Sequence, residues 1–263
     1  GGYFIMEHVL FNLEPPIGWI TLNNPQKRNA LSLDVIAALD HILDQAAADQ
    51  ELKVLVLQGN GPAFCAGHDI QQLTGSDKDI HDFRKIFSSC AKMMQKIHHL
   101  PQPVIAKVHG IATAAGCQLV AACDMAIAED KARFATPGVK IGLFCSTPMT
   151  PLIRVIGRRR AMEMLMSGRF VPSDEALSFG LVNKVVPGDK LDQETRNWAL
   201  EIGAASRMTL ALGKNALYHQ ADMSESESYA YTQEVIAMNC VTHDAQEGMQ
   251  AFLEKRDPVW KDR

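Results

Sequence analysis

Two short apolar segments, each followed by a loop that contains small residues, limit the possible folds of this chain more than any other sequence feature. Residues 54–57 read Val-Leu-Val-Leu and precede the loop 63–69, and residues 104–108 precede the Gly- and Ala-rich segment 109–122. A short apolar run bounded by turn residues is typical of a buried strand. The segment 109–122 then reads as a tight turn that opens a helix.

The neighbouring segments extend this pattern into strand, strand, helix. Residues 8–13 and 18–22 alternate apolar and polar side chains, as strands do, with the Pro15–Pro16 turn between them. Ser32 is placed to cap a helix, and a long amphipathic helix is expected over residues 80–98, before Pro101 and Pro103. A further strand is expected at 124–128. The sequence therefore predicts an α/β fold without an exact sequence repeat.

The last quarter of the chain differs in character. Residues 191–255 read as nearly continuous helix, with methionines on the apolar faces, and a boundary is expected near Pro187 and Gly188. We predict a site-bearing core over residues 6–188 and a helical region over 189–263. The methionines of the helical region indicate a core or an oligomer interface.

Composition excludes several classes of function. The formal net charge of −4 over 263 residues argues against nucleic acid as a partner, because binding to a phosphate backbone requires a basic surface. No apolar stretch is long enough to suggest a membrane span or a membrane partner. The six cysteines form no CxxC pair and read as reduced thiols, and no signal-peptide pattern is present, so a cytoplasmic location is expected.

The two loops that follow the apolar strands have sequences typical of an oxyanion-binding site. Gly67 allows a backbone shape that directs the next N–H, that of His68, outward. The segment 109–119 opens a helix, and helix N-termini present unpaired N–H groups with positive partial charge. Each loop alone is also explained by a tight turn or by close helix–strand packing. Two such loops in one chain favour an oxyanion hole.

Five segments taken in order resemble the crotonase superfamily (enoyl-CoA hydratase/isomerase). They are residues 27–31, 64–70, 109–119, 134–148 and 251–256, and the resemblance covers nearly the whole chain from His8. It implies a crotonase-like spiral of ββα units with a C-terminal helical oligomerisation region, assembled as a homotrimer or homohexamer. It also implies an acyl-CoA ligand, with coenzyme A as part of the substrate and no metal or separate cofactor.

The resemblance assigns roles to particular residues. The thioester oxygen is expected to accept hydrogen bonds from the backbone N–H groups of His68 and Ala115. Phe252 and Lys255 are expected to close over the ligand, from a neighbouring subunit. Coenzyme A is expected to contact Lys27, Arg28, Asn29, Ala30, Ala66, Asp69 and Ile70.

The sequence departs from the superfamily at the two positions where hydratases carry glutamates. Gln118 and Gly138 occupy them. An amide does not exchange protons usefully near neutral pH, and glycine has no side chain. Hydration of an enoyl thioester requires one group to deprotonate water and one to protonate the α-carbon. Standard hydration is therefore doubtful.

Polar groups around the inferred pocket keep several functions open. His68, Gln118, Cys145 and Ser146 are the candidate catalytic side chains. His68 either transfers protons or contributes only its backbone, and Cys145 either attacks a thioester or packs in the core. The dehalogenase branch needs an aspartate where Ser146 stands, which disfavours that mechanism.

Three functions are consistent with the sequence. The first is an atypical acyl-CoA enzyme that catalyses weak hydration, isomerisation, thioester hydrolysis or decarboxylation, the last of which needs only a stabilised enolate. The decarboxylase branch itself carries Glu and Tyr where this chain has Gln118 and Cys145. The second reading is a non-catalytic acyl-CoA-binding or scaffold protein, and the third is a protein-interaction trimer.

Overall fold

A computed structural model describes residues 3–6 and 8–263 and has a mixed α/β architecture. The strands are β1 Tyr3–Met6, β2 Val9–Glu14, β3 Ile17–Leu22, β4 Val54–Gly59, β5 Val104–Val108, β6 Ile111–Thr113, β7 Met125–Glu129, β8 Arg133–Ala135, β9 Val171–Pro172 and β10 Lys184–Val186. The helices are α1 Leu33–Ala48, α2 Ile80–His99, α3 Ala115–Ala122, α4 Ser146–Ser167, α5 Ser173–Phe179, α6 Leu191–Gly203, α7 Arg207–Gln220, α8 Glu225–Cys240 and α9 His243–Glu254.

The main sheet places the two loop-bearing strands side by side. Its order is β1-β2-β3-β4-β5-β7-β10, antiparallel from β1 to β3 and parallel from β3 to β10. Because β4 and β5 are parallel neighbours, the loops that follow them leave the same edge of the sheet. A small second sheet of order β6-β8-β9 continues from these loops.

Both faces of the main sheet are covered by helices. Helices α1, α2 and α3 bury one face in a large apolar cluster that contains Leu39, Met93 and Leu119. Helix α6 covers the other face through Leu191 and Ala199, which pack against the outward side chains of β3, β4, β5 and β7. A sheet covered on both faces requires apolar side chains on both sides of its strands, which explains the uninterrupted Val-Leu-Val-Leu run of β4.

The predicted α/β class and the C-terminal helices are confirmed. The strands expected at 8–13, 18–22, 54–57, 104–108 and 124–128 correspond to β2, β3, β4, β5 and β7, and the helix expected at 80–98 is α2. Ser32 caps α1 by accepting a hydrogen bond from the N–H of Val35. The division at residue 188 stays a prediction. Among the described residues, no helix combines the length and apolar character needed to cross a membrane.

A polar cluster of Lys214, Tyr218 and Asp124 connects α7 to the sheet through hydrogen bonds. The ammonium group of Lys214 donates to Asp124 Oδ2 at 2.7 Å and to the carbonyl oxygens of Ile97 and Gln102. Tyr218 donates to Asp124 Oδ1 at 2.7 Å. The side chains of Lys214 and Asp124 are only 6% and 12% exposed. These contacts bind the helical region to the end of α2 and the start of β7.

Candidate active site

The two loops predicted to bear the site are joined by short backbone contacts. Cys65 forms an isolated parallel bridge with Ala112. Its N–H donates to the carbonyl of Ile111 at 3.2 Å, and its own carbonyl accepts from Thr113 at 3.0 Å. The hydroxyl of Thr113 donates to the carbonyl of Ala66 at 3.0 Å. The loop after β4 is therefore held against β6, directly before α3.

Glycines make this close approach possible. Gly67 has a φ of +103°, and a Cβ atom there would lie 2.9 Å from Ala114 Cβ and 3.3 Å from the backbone nitrogen of Ala115. A Cβ atom at Gly116 would lie 2.1 Å from the carbonyl oxygen of Cys65. Side chains at either position would separate the loops.

The residue before α3 has an unusual backbone conformation. Ala114 has φ 52° and ψ −117°, a region that alanine rarely adopts, and its N–H donates to the carbonyl of Ala135 at 2.9 Å. Strained backbone of this kind is concentrated at functional sites. Within the described chain, the N–H groups of Ala115 and His68 donate to no acceptor. Two unpaired donors thus flank the contact between Gly67 and Ala114.

A cavity of about 520 Å³ opens beside these donors. Most of its wall is apolar. It is lined by Ala66, His68, Ile70, Leu73, Phe87, Ala114, Ala115, Pro137, Gly138, Lys140, Ile141, Leu143, Phe144, Cys145, Ser146, Thr147 and Pro148. The structure thus brings together six of the predicted site residues: Ala66, His68, Ile70, Ala115, Cys145 and Ser146. No carboxylate side chain contributes to this wall, which is built from described residues.

His68 contributes its ring to the wall. The imidazole packs edge-on against Phe87, with ring centroids 5.2 Å apart. Nδ1 and Nε2 are both shielded from solvent, and neither forms a hydrogen bond of good geometry within the described chain. Burial lowers the pKa of His68 below its ordinary value, opposed by the backbone of Leu31. The ring is therefore neutral near pH 7.

Gln118 and Gly138 occupy two different environments. Gln118 of α3 is buried and lies outside the cavity wall, and its Oε1 accepts no hydrogen bond from the described residues. Gly138 lies in the wall, but a Cβ atom there would lie 2.9 Å from the carbonyl oxygen of Leu143 and 3.0 Å from Cys145 Sγ. The segment that contains Leu143 and Cys145 fills the space that a side chain at position 138 would need.

Cys145 and Ser146 line the cavity where α4 begins. Burial raises the pKa of the Cys145 thiol, although a backbone hydrogen bond from Gly138 acts in the opposite direction. A thiol with a raised pKa is a weak nucleophile because the thiolate is the reactive form. The hydroxyl of Ser146 donates to the carbonyl of Phe144 at 3.3 Å. In the described chain, neither side chain is hydrogen-bonded to a basic side chain.

The residues expected to contact coenzyme A organise the loops next to the cavity. Lys27 forms an ion pair with Asp69 at 2.9 Å. Asn29 is buried, and its amide donates to the carbonyls of Asn60, Ala63 and Phe64. The carbonyl of Arg28 accepts from the N–H of Ala66, and the N–H of Ala30 donates to the carbonyl of Lys27. Of the expected coenzyme A contacts, only Ala66 and Ile70 reach the wall.

Phe252 and Lys255 lie outside the cavity wall of the single chain. Phe252 on α9 is 82% exposed, and Lys255 ends that helix in a left-handed conformation with φ 54°. Their predicted contact with ligand stays a prediction.

Leu73 and Phe87 also line the cavity, and neither was predicted from the sequence to belong to the site. Phe87 carried a usable signal, since it lies on the amphipathic helix that follows the first loop.

These features place the chain in a known family. The sequence model described as Enoyl-CoA hydratase/isomerase matches residues 13–263. The chain belongs to that family, which confirms the resemblance to the crotonase superfamily.

Relatives resemble it along nearly the whole chain. It is 48% identical to enoyl-CoA hydratase domain-containing protein 3, mitochondrial, of Xenopus laevis, over 92% of this chain and 82% of the relative. Crystal structures of the human protein of that name and of an enoyl-CoA hydratase from Mycobacterium smegmatis superpose with TM-scores of 0.94 and 0.93 at 43% and 44% identity. Each alignment covers 96% of this chain, with 100% and 98% of the two solved chains.

The expectation of a cytoplasmic location is wrong on this comparison. The curated relatives from Xenopus laevis, Rattus norvegicus and Homo sapiens, at 44–48% identity, are all named mitochondrial. The location in these relatives' names is mitochondrial rather than cytoplasmic. The expectation failed because reduced thiols suit either compartment, so cysteine usage does not separate the two.

Proposed function

We propose that this chain binds an acyl-CoA thioester and holds the thioester oxygen between the backbone N–H groups of His68 and Ala115. The observation that carries the proposal is a pair of N–H groups, unpaired among the described residues, that belong to two residues lining an apolar cavity and flank the contact between Gly67 and Ala114. Donors preorganised in a water-poor site stabilise developing negative charge strongly. They would stabilise an enolate formed from the acyl group.

The chemistry proposed here is enolate stabilisation rather than standard hydration. The cavity wall of described residues contains no carboxylate, and Gln118 does not reach the wall. Each proton-transfer group typically contributes about 10²–10⁴-fold to a rate. Without the paired glutamates, hydration is expected to be slow, whereas the two N–H donors stabilise an enolate whichever group forms it. Isomerisation, decarboxylation and thioester hydrolysis all use such a donor pair.

The experiment removes one donor and leaves the helix in place. Ala115 is the first residue of α3, a position where proline is tolerated and eliminates the N–H. The protein and its Ala115→Pro variant are incubated with a mixed acyl-CoA panel, and products are followed by mass spectrometry. We expect turnover of at least one acyl-CoA, with a loss of about 10²–10³-fold in the variant.

A matched control separates the donor from the effect of proline. Ile80→Pro places proline at the exposed first residue of α2, outside the cavity wall, and should leave turnover unchanged. Folding of both variants is checked by circular dichroism. If Ala115→Pro folds and turns over acyl-CoA at the normal rate, the donor assignment is wrong.

A second candidate function is non-catalytic acyl-CoA binding. It is favoured by Gln118 and by Gly138, whose neighbours leave no room for a side chain. Acyl-CoA binding measured by calorimetry, together with no product from the whole panel, would select this function. Loss of binding on Gly67→Ala, which would push the two loops apart, would then identify the same cavity as the binding site.

Assembly and coenzyme A contacts are also proposed. Exposed apolar side chains on α8 and α9 and between them, including Tyr229, Ile236, Val241 and Phe252, support a homotrimer or homohexamer. Such an assembly would bring Phe252 and Lys255 of one subunit towards the ligand of another. Sedimentation velocity of the protein with and without coenzyme A tests the proposal, and a monomer under both conditions would contradict it.

A further inference from the structure

Within the described chain, the His68 side chain packs against Phe87 and interacts with the backbone of Leu31. Neither ring nitrogen forms a hydrogen bond of good geometry in the described chain, although both are shielded from solvent. A buried polar group without a partner costs about 1–3 kcal/mol. An apolar side chain of similar size would pack against Phe87 without that cost. The unpaired imidazole therefore calls for a partner that is not part of the fold.

The position of the His68 ring in the cavity wall indicates that this partner is a ligand bound in the cavity. The ring lines the same cavity as Ala115, and the backbone N–H of His68 itself is one of the two proposed oxyanion donors. The α-carbon of a thioester is two bonds from the thioester oxygen, so an oxygen held by these donors would place the α-carbon in the cavity that the His68 ring lines. In unliganded enzymes, catalytic hydrogen bonds are often incomplete and form only with substrate.

The other titratable groups around the ring are poorly suited to accept a proton from carbon. Those on the cavity wall are Cys145, which burial keeps protonated, and Lys140, which is exposed. The neighbouring carboxylate of Asp69 is paired with Lys27 and lies outside the wall. His68 is thus the neutral base of the described cavity.

We propose that the imidazole of His68 is the acid–base group of this site and removes a proton from the α-carbon of a bound acyl-CoA. The C–H bond breaks, its proton passes to a ring nitrogen, and the electron pair forms an enolate whose oxygen accepts from the N–H groups of His68 and Ala115. The imidazolium then returns the proton to the α-carbon or, in a β,γ-unsaturated acyl group, to the γ-carbon. This inference rests on the proposed oxyanion site.

A neutral histidine at position 68 is suited to remove a proton from the α-carbon. A base acts only in its deprotonated form, and burial lowers the pKa of His68, so the ring is ready to accept a proton near pH 7. The exchange rate should fall as the pH decreases through this lowered pKa, because the ring then becomes protonated. A histidine with a merely structural role would give no such profile.

The test is deuterium exchange at the α-carbon. The protein is incubated in D₂O with octanoyl-CoA and with its β,γ-unsaturated analogue, and deuterium incorporation is measured by mass spectrometry. We expect exchange by the unmodified protein and a loss of at least about 10²-fold in His68→Gln, which keeps the backbone donor. Added imidazole should restore part of the rate in His68→Ala.

Controls separate this inference from the oxyanion proposal. His98→Gln alters another partly buried histidine, stacked on Tyr218 at 4.1 Å and outside the cavity wall, and should leave exchange unchanged. If Ala115→Pro abolishes exchange but His68→Gln does not, the inference is overturned and the oxyanion proposal stands. If the unmodified protein binds acyl-CoA but exchanges no deuterium, the inference also fails. Loss of exchange in both variants, with acyl-CoA binding retained, supports it.

Discussion

Gly116 on α3 lies against the carbonyl oxygen of Cys65, so closely that a Cβ atom at Gly116 would be 2.1 Å from that oxygen. This contact sets the distance between the helix N-terminus and the loop that contains Gly67. It therefore controls the spacing of the two N–H groups proposed to bind the thioester oxygen.

Replacement of Gly116 by alanine should destabilise the protein. The new methyl group collides with backbone, which cannot move aside as a side chain can, and overpacking of this kind costs about 1–3 kcal/mol or more. Urea denaturation measures the change. The matched control is Gly213→Ala in α7, where a Cβ atom meets nothing within 4 Å and alanine should stabilise the helix by about 1 kcal/mol. Equal effects at both positions would contradict the packing argument.

Relief of the strain at Ala114 should stabilise the protein. Glycine adopts positive φ without steric cost, so Ala114→Gly should raise the free energy of unfolding by about 1 kcal/mol. Ala211→Gly, within α7, should instead lower it by about 1 kcal/mol because glycine weakens a regular helix. Urea denaturation of both variants checks the opposite signs. A loss of stability in Ala114→Gly would show that this backbone is not strained.

Restoring the two glutamates should not restore hydration. In Gln118→Glu the new carboxyl group is buried away from the cavity, where burial favours the neutral acid. In Gly138→Glu the side chain meets the Leu143 carbonyl oxygen and Cys145 Sγ. We expect the double variant to hydrate crotonyl-CoA, followed by ultraviolet absorbance, within about 10-fold of the unmodified rate. A gain of about 10²-fold or more, the effect of one proton-transfer group, would contradict this steric argument.

Removal of the charge of Lys214 should be strongly destabilising. Among the described residues, Lys214→Met leaves the buried Asp124 with the hydroxyl of Tyr218 and the N–H of Val104 as its donors. Loss of one partner from a buried ion pair costs about 3–5 kcal/mol. Thermal and urea unfolding measure the effect. Arg196→Met, which breaks the exposed pair with Glu14, should cost no more than about 1 kcal/mol. A loss near 1 kcal/mol for Lys214→Met would show that the cluster contributes little.

Much of the fold was predictable because local periodicity follows burial. The Val-Leu-Val-Leu run of β4 and the amphipathic pattern of α2 reflect surfaces that the sheet and the helix bury, so both were found from sequence. The short strands β6, β8 and β9 were missed. Each has only two or three residues, too few to show a period, and they form by pairing with one another rather than by local preference.

Some features of the candidate site were likewise predictable from the sequence, and others were not. Gly67 and the Gly- and Ala-rich segment 109–122, which contains Gly116, were recognisable because small residues suit places where a backbone must come close to another group. The sequence also determined that proton-transfer groups are scarce, since Gln118 and Gly138 can be read directly. It did not determine where a side chain points.

Only the tertiary structure decided which side chains face the cavity. It buried Gln118 beside the wall rather than in it, engaged the amide of Asn29 with loop carbonyls, and brought Phe87 of α2 against His68. These outcomes depend on how helices pack on the sheet, through contacts between residues far apart in sequence. Residue identity along the chain thus sets which chemical groups are present, and packing sets which of them can meet a ligand.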